Sequence, residues 1–287
     1  MKNKISKIFT IGIFFLLVFL SFAIAKSPDK NDVSIYFFNI GQGDASLIQQ
    51  GSYQIMIDGG PDDKILSLLG EEMPLYDRKI ETLVLSHPHA DHLMGINSVL
   101  DRYEIGNIYF SGSAYSSAEY LSFLNKIKEK NINTVIPELG YKFTPYTNAS
   151  LEFLWPGDKY IEKEIENPND VSLVMRYCYF TSCALYTGDI EEEEQDLMLD
   201  HYSDKDISAK ILKVPHHGAR NAANNRLYTL TKSQFSIFSV GKDNQYGHPH
   251  QEASDLAKNN NSLALRTDEE GTIKFEINKE GELTFDE

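Results

Sequence analysis

Seven of the eight histidines fall into three short clusters, and the first cluster has the composition of a metal site. It spans residues 86–92 and places His87, His89, Asp91 and His92 within six residues. Imidazole nitrogen and carboxylate oxygen are the ligands of borderline divalent metals. Isolated core or surface histidines seldom occur three to a six-residue loop. We therefore interpret the loop as a metal site rather than as a polar loop with incidental histidines.

The other two clusters also have residue types suited to catalysis. His216 and His217 follow an apolar segment at 211–214, and His248 and His250 lie in a loop bounded by glycine and proline. Either His248 or His250 could donate a hydrogen bond to a phosphate or protonate a leaving group. The alternative for the last cluster is a plain surface loop, because a Gly-His-Pro-His sequence alone is weakly specific.

Short apolar segments rich in β-branched and aromatic residues must position these clusters. They span residues 33–40, 53–57, 82–85, 151–155, 172–180, 184–186, 211–214, 235–240 and 272–277. Amphipathic or acidic segments at 115–130 and 191–201 are predicted helices. Strands and helices alternate, with several strand–strand neighbours in each half, which predicts an α/β or α+β layered domain. The first histidine cluster directly follows a predicted strand, where α/β layers commonly place functional loops.

The first 25 residues are predicted to be an export signal. Three lysines precede an apolar run at 8–20, and an Ala-Ile-Ala sequence at 23–25 has the small-residue pattern of a cleavage site. An uncleaved membrane anchor is the alternative, because the 18 residues at 8–25 are close to a bilayer-spanning length. Residues 26–32 are interpreted as a polar tether and 33–287 as one domain.

The composition is strongly acidic. The 287 residues carry a formal net charge of −15, which becomes −18 when the three lysines of the predicted signal are removed. Such a surface repels polyanions, so a broad nucleic-acid-binding surface is not expected. A small phosphate-bearing substrate held by metal ions remains compatible with it, because the ions bring local positive charge.

The only two cysteines are five positions apart. Residues 177–184 have the pattern of a hairpin that would place Cys178 opposite Cys183. An exported protein would favour a disulfide between them, with two buried thiols as the alternative.

The His-x-His-x-Asp-His pattern at 87–92 resembles the signature of the metallo-β-lactamase superfamily. Further segments are similar to this family in the same order, at residues 39–45, 57–60, 169–174, 186–189, 214–218 and 246–250. Together they resemble the domain at the end of ComEC DNA-uptake proteins and secreted stand-alone relatives such as phosphorylcholine esterases. The resemblance covers 33–277 and implies an α/β fold of four layers, the αββα sandwich of this superfamily.

The resemblance also implies roles for individual residues. His87 and His89 would hold a first metal ion, and Asp91 and His92 would hold a second. Asp189 matches the carboxylate that bridges the two ions, whereas without the other motifs it would be interpreted as a helix cap.

The neighbouring histidines complete this expectation. We expect His217 to complete the second metal site and His216 to face the substrate, with the reverse order left open. Asp91, His216, His248 and His250 are therefore the expected catalytic side chains.

Two departures from the family pattern affect this expectation. Asn169 or Asp170 stands where many members have a third histidine for the first metal. An amide is a poorer zinc ligand than imidazole, so the first site would be weaker or suited to manganese. The expected cofactors are two divalent ions, zinc or alternatively manganese. Ala219 stands where relatives often have serine, and the missing hydroxyl argues against a nuclease.

The resulting expectation is an exported metal-dependent hydrolase of a phosphoester, most simply a phosphodiester, acting through a water activated by two metals. The substrate could be a small molecule, a cell-wall polymer or DNA, and contact with a membrane would be limited to residues 8–25 if these are not cleaved. The alternatives are a nuclease for DNA uptake or degradation, a β-lactam or amide hydrolase, and a non-catalytic surface binding protein.

Overall fold

The computed structural model describes residues 13–14, 31–157 and 165–286. Its strands are β1 (Val33–Phe37), β2 (Ala45–Gln50), β3 (Tyr53–Gly59), β4 (Lys79–Val84), β5 (Glu104–Tyr109), β6 (Asn133–Val135), β7 (Lys142–Phe143), β8 (Ala149–Trp155), β9 (Val174–Tyr179), β10 (Ser182–Tyr186), β11 (Ile211–Lys213), β12 (Phe235–Phe238), β13 (Leu263–Arg266), β14 (Ile273–Ile277) and β15 (Leu283–Asp286). The α-helices are α1 (Lys64–Glu72), α2 (Ala90–Arg102), α3 (Ala118–Lys130), α4 (Glu192–Leu199), α5 (Asp204–Ile207), α6 (Asn225–Thr231), α7 (Gln251–Asn259) and α8 (Thr267–Glu270).

The strands form two sheets. One has the order β15-β14-β1-β2-β3-β4-β5-β6 and the other the order β13-β12-β11-β10-β9-β8-β7. Each sheet combines an antiparallel part with a parallel part, namely β3 to β6 in the first and β10 to β13 in the second. Because β10, β11 and β12 are adjacent and parallel, the loops that follow them leave the sheet at the same edge.

Apolar side chains fill three layers between these elements. The inner faces of the two sheets enclose one core, which includes Phe37, Phe153, Tyr186 and Phe275. A second core lies between the first sheet and helices α1 to α3, and a third lies between the second sheet and helices α4, α6 and α7. The expected four-layer αββα sandwich is therefore confirmed.

The ends of the elements follow local chemistry that the apolar pattern does not resolve. Helix α3 begins three residues later than the segment 115–130 indicates, because Ser117 accepts a hydrogen bond from the Tyr120 N–H at 3.2 Å and caps the helix. It ends at Lys130, and the C-cap residue Asn131 adopts the left-handed conformation. Helix α4 begins within the run of glutamates, where negative charge is favoured by the helix dipole.

The predicted cysteine hairpin is present. Strands β9 and β10 pair antiparallel with Cys178 opposite Cys183, and the two residues form a disulfide. The turn between the strands contains Phe180, in the left-handed conformation, and Thr181.

The predicted export signal and most of the predicted tether lie outside the described residues, apart from Ile13, Phe14, Asn31 and Asp32. Within the described part of the chain, no helix is both long enough and apolar enough to span a membrane.

Candidate metal centre

The loop after β4 carries the first histidine cluster into the interior. His87 is buried, and its Nε2 lies 3.0 Å from Nδ1 of the half-buried His89. His89 is the N-cap of α2, so Asp91 and His92 fall in the first turn of that helix. Two residues on an extended loop and two on a helix turn therefore approach the same point from different directions.

Asp189 reaches the same point from the opposite sheet. It follows β10 after Gly188, and its Oδ2 lies 3.3 Å from Nε2 of His92 and 3.9 Å from Nε2 of His87. Gly188 has a φ of +50°, and a Cβ there would lie 3.0 Å from Ser172 and 3.1 Å from Ser86. The crowding shows that a glycine is needed for the backbone to carry Asp189 this close to the first sheet.

The adjacent histidines after β11 differ in burial. Both lie in the left-handed region, with φ of +49° for His216 and +55° for His217. His217 is buried, and its Nε2 lies 3.4 Å from Oδ2 of Asp91 and 3.4 Å from Oδ2 of Asp189. His216 is 23% exposed, and its Nε2 lies 3.8 Å from Oδ2 of Asp189.

Four of these side chains form a compact donor set. Ligand atoms of Asp91, His92, Asp189 and His217 all lie within 4.8 Å of one another. We call these four residues the central cluster. They come from helix α2 on one sheet and from the loops after β10 and β11 on the other, so the site lies between the two halves of the sandwich.

Two buried carboxylates lie behind the histidines of the central cluster. Asp58 accepts hydrogen bonds from the Ser86 hydroxyl at 2.6 Å and from Nδ1 of His92 at 2.9 Å. Asp44 lies with Oδ1 3.3 Å from Nδ1 of His217 and with Oδ2 2.6 Å from Nζ of the buried Lys213.

The sequence indicated this support only indirectly. Asp44 and Asp58 belong to the family-like segments 39–45 and 57–60, but the local sequence does not indicate that either carboxylate lies behind a histidine of the site. Nothing in the local pattern shows that Lys213, within an apolar strand, meets a carboxylate more than 160 residues earlier in the chain. The main acceptor for Nδ1 of His217 is also nonlocal, since it is the carbonyl oxygen of Ser239 at 2.8 Å.

The segment that departs from the family pattern is tied to a glutamate. Nδ2 of Asn169 donates a hydrogen bond to Oε1 of Glu191 at 2.7 Å, and the same oxygen lies 3.8 Å from Nδ1 of His216. The carboxylate of Asp170 instead accepts from the Asn167 amide at 2.9 Å. Burial and the glutamates of the following helix raise the pKa of Asp170 to about 6.

The last histidine cluster lies on one side of a cavity of about 280 Å³. His248 lines this cavity and stacks on Tyr246 with ring centroids 5.6 Å apart. His250 lies behind His248, with ring centroids 5.0 Å apart, and is the N-cap of α7. The residues that line the cavity are Gln42, His89, Ala90, Asp91, Asp189, His216, His217, Tyr246 and His248.

A family model described as the metallo-β-lactamase superfamily matches residues 39–241, which is more than half of the chain and contains the central cluster. The chain belongs to this superfamily. It is a metal-dependent hydrolase of the metallo-β-lactamase fold, and the residues described above are its candidate dimetal site.

The chain is similar in sequence to two curated relatives of the ComEC type. The chain is 25% identical to ComE operon protein 3 of Bacillus subtilis, over 96% of this chain and 37% of that protein. It is 22% identical to Competence protein ComA of Neisseria gonorrhoeae, over 94% of this chain and 36% of that protein. The chain thus spans little more than a third of the length of these relatives.

A solved structure supports the fold. The metallo-β-lactamase fold protein YhfI of Bacillus subtilis aligns with a TM-score of 0.56 at 15% identity, over 85% of this chain and 99% of that chain. At this identity the likeness concerns the fold alone.

The charges of the central cluster fit the divalent ions that are typical of a metallo-β-lactamase site. Burial disfavours protonation of His92, but Asp189, Asp58 and Asp91 outweigh it and raise the pKa of His92 well above its ordinary value. Asp189 and Asp44 do the same for His217 against the same effect of burial. Burial opposes ionisation of Asp189, but His217 and His92 hold its pKa well below the usual range. The carboxylates of the cluster and those behind it therefore stabilise positive charge at this point, as a bound divalent ion would supply.

Buried atoms without a hydrogen-bond partner also support a metal ion at the central cluster. Nε2 of His92, Nε2 of His217 and Oδ1 of Asp189 are buried and have no hydrogen-bond partner among the described residues. A buried polar atom without a partner costs free energy unless it binds something, and imidazole nitrogens together with carboxylate oxygens suit zinc or manganese. The residues present therefore fit a metal ion.

Proposed function

We propose that the protein hydrolyses a phosphodiester with the help of two divalent metal ions, zinc or alternatively manganese. The observation that carries the proposal is the cavity beside the central cluster, which is lined by histidines and carboxylates. Neither lysine nor arginine is among the lining residues in the described part of the chain. A phosphodiester carries a single negative charge, so it needs less compensation in such a cavity than a phosphomonoester dianion does.

The donor set divides into two proposed sites. His87 and His89 are proposed to hold the first ion, and the central cluster residues Asp91, His92 and His217 the second. Asp189 is proposed to bind both ions, because its Oδ2 lies 3.9 Å from His87 and 3.3 Å from His92. When bound, two divalent ions lower the pKa of a water molecule and neutralise charge on the phosphoryl oxygens.

The remaining histidines are proposed to act on the substrate. His216 is partly exposed on the cavity side of the cluster, and His248 lines the cavity from the loop after β12. Both are proposed to donate a hydrogen bond to a phosphoryl or leaving-group oxygen of a substrate bound in the cavity. We propose that His250 supports His248, because its ring contacts that of His248 but does not line the cavity.

Cleavage of nucleotide phosphodiesters is the second candidate function. Tyr246 is 57% exposed at the rim of the cavity, and its ring stacks on that of His248. An exposed aromatic ring is a stacking surface for a nucleobase. The ComEC-type relatives favour this candidate, whereas the net charge of −15 disfavours tracking along a long polyanion.

We further propose that the protein acts outside the cell. The support is the sequence of residues 1–25, with its lysines, apolar run and Ala-Ile-Ala site.

Metal analysis of the purified protein, followed by a substrate panel, tests the function. We expect two equivalents of metal and turnover of bis-p-nitrophenyl phosphate, without turnover of nitrocefin. Comparing p-nitrophenylphosphorylcholine with thymidine 5′-(p-nitrophenyl phosphate) then separates the two candidates, because both release the same leaving group. A metal-loaded protein that cleaves no phosphodiester in this panel would contradict the proposal.

A further inference from the structure

Residues 41–43 form a turn that is pressed against the metal-binding helix. Gly41 and Gly43 have φ values of +92° and +140°, which favour glycine. A Cβ on Gly43 would lie 2.3 Å from the carbonyl oxygen of Asp91, and that oxygen accepts a hydrogen bond from the Asp44 N–H at 3.2 Å. The backbone that follows Gln42 is thus fixed relative to the first turn of α2. Gln42 itself lines the cavity.

The side-chain amide of Gln42 is oriented by a second loop. The Gly241 N–H donates a hydrogen bond to Oε1 of Gln42 at 3.2 Å. A Cβ on Gly241 would lie only 2.6 Å from the Gln42 backbone nitrogen, so the two loops are in close contact. Because an N–H must point at an acceptor, this bond assigns the oxygen to the Gly241 side and leaves Nε2 as the other end of the amide. Nε2 makes no hydrogen bond to the described residues.

Few side chains that line the cavity can donate a hydrogen bond to a substrate. Of its lining side chains, His89, Asp91, Asp189 and His217 are already proposed as metal ligands. The others that can donate a hydrogen bond are two histidines, a tyrosine and Gln42. An amide N–H₂ is neutral and does not titrate, so it donates at every pH at which the protein is folded.

We propose that Nε2 of Gln42 donates a hydrogen bond to a non-bridging oxygen of the bound phosphodiester. This role rests on the proposed function, and it makes Gln42 a catalytic residue that adds a fixed donor where negative charge builds up during the reaction. Fixed donors of this type are effective because they need no reorganisation when the charge develops.

Two substitutions separate the donor from the loop contact. Gln42→Glu keeps an oxygen to accept from the Gly241 N–H but removes the N–H₂ group, whereas Gln42→Met removes both ends and adds no charge. We expect both variants to lose roughly 10²-fold in kcat on bis-p-nitrophenyl phosphate. Metal content should be unchanged in both, and the Tm of Gln42→Glu should remain at the wild-type value. Gln234→Glu, at an exposed position, is the control for the added charge.

The two variants also distinguish the proposal from two competing explanations. A purely structural role predicts loss in Gln42→Met alone, and a purely electrostatic effect of the new charge predicts loss in Gln42→Glu alone. Either result overturns the proposal, as does loss of metal from Gln42→Glu.

Calorimetric binding of dimethyl phosphate to the metal-loaded protein separates this inference from the proposed function. We expect both variants to bind it about ten-fold more weakly than wild type. Weaker binding in both variants supports the donor even if the wild-type protein turns over no phosphodiester, in which case the proposed function fails alone. Turnover by the wild type with unchanged kcat and affinity in both variants overturns the donor alone. A wild-type protein that neither binds nor hydrolyses phosphodiesters overturns both.

Discussion

The two proposed metal sites differ in how well the protein holds their ligands. In the central cluster, Nδ1 of His92 and of His217 is held by buried acceptors, the Asp58 carboxylate and the Ser239 carbonyl. The pair His87 and His89 has no comparable support among the described residues, and Nδ1 of His87 faces only the hydroxyl of Ser86 at 3.1 Å.

The position at which many family members have a third histidine for the first metal also distinguishes the two sites. Of the two residues expected there, Asn169 uses its amide to bind Glu191 and Asp170 accepts a hydrogen bond from Asn167. Acceptors behind metal-binding histidines fix the ring and raise its basicity. The comparison therefore indicates a strong site at the central cluster and a weaker one at His87 and His89.

The largest expected effect comes from emptying the strong site. Asp91→Ala removes a proposed ligand whose side chain is 34% exposed, so the fold should remain while one metal equivalent is lost. We expect phosphodiesterase activity to fall on the order of 10³-fold, because the groups that stabilise transition-state charge are then missing. Metal analysis and bis-p-nitrophenyl phosphate turnover measure the two effects.

Asp101→Ala, on the exposed side of the same helix, is the control for this experiment. Full activity in Asp91→Ala would mean that the central cluster is not the catalytic metal site.

A smaller loss is expected from the loop that lines the cavity without binding metal. His248→Ala should keep both metals and lose roughly 10²-fold in kcat, the lower end of the range for a missing proton donor or hydrogen-bond partner. His250→Ala is the matched variant two residues away, and it should retain most of the activity because His250 does not line the cavity. Equal losses in the two variants, or loss of metal from His248→Ala, would contradict this division.

The third effect is a loss of metal affinity when Asp58, the carboxylate behind His92, is changed. Asp58→Asn keeps the size of the side chain but weakens the acceptor for His92, and we expect roughly 10- to 100-fold weaker binding at the strong site. Competition with a chromophoric chelator measures this change. Asp62→Asn, in an exposed turn nearby, should leave metal affinity unchanged. If Asp58→Asn binds metal as wild type does, the support behind the central cluster does not explain its strength.

Features formed by residues close together in the chain could be predicted from the sequence. The spacing at 87–92 predicted a loop with four ligands, although not the helix that begins at Ala90. The apolar segments with the family motifs predicted the layers of the fold. Residues 177–184 predicted the disulfide hairpin with the observed pairing.

The supporting contacts could not be predicted because they join residues far apart in the chain. Asp44 meets Lys213 and the Gln42 amide meets Gly241 through the packing of one sheet on the other. His217 meets Ser239 because the neighbouring parallel strands β11 and β12 bring the loops that follow them together. Short strands such as β6, β7 and β13 were also not predicted. Residues that are half exposed or exposed there weaken the apolar pattern on which the prediction depended.

The smallest effect concerns the weak site. If the sites differ as described, dialysis against increasing chelator concentrations should release the metal in two steps, with one equivalent leaving first. His89→Ala should abolish the first step and leave the second unchanged. Release of both equivalents in one step from the wild type would show that the two sites are of equal strength.

Asn169→His should bring the two release steps together. An imidazole at this position can use one nitrogen to donate to Glu191, as the amide of Asn169 does at 2.7 Å, and can offer the other nitrogen to the first ion. A histidine oriented by a carboxylate is a stronger ligand than an amide, so we expect about ten-fold tighter binding at the weak site and no change at the strong site. Asn167→His, two residues earlier, is the control. If Asn169→His leaves both release steps where they are in the wild type, the weakness of the first site has a cause other than the missing histidine.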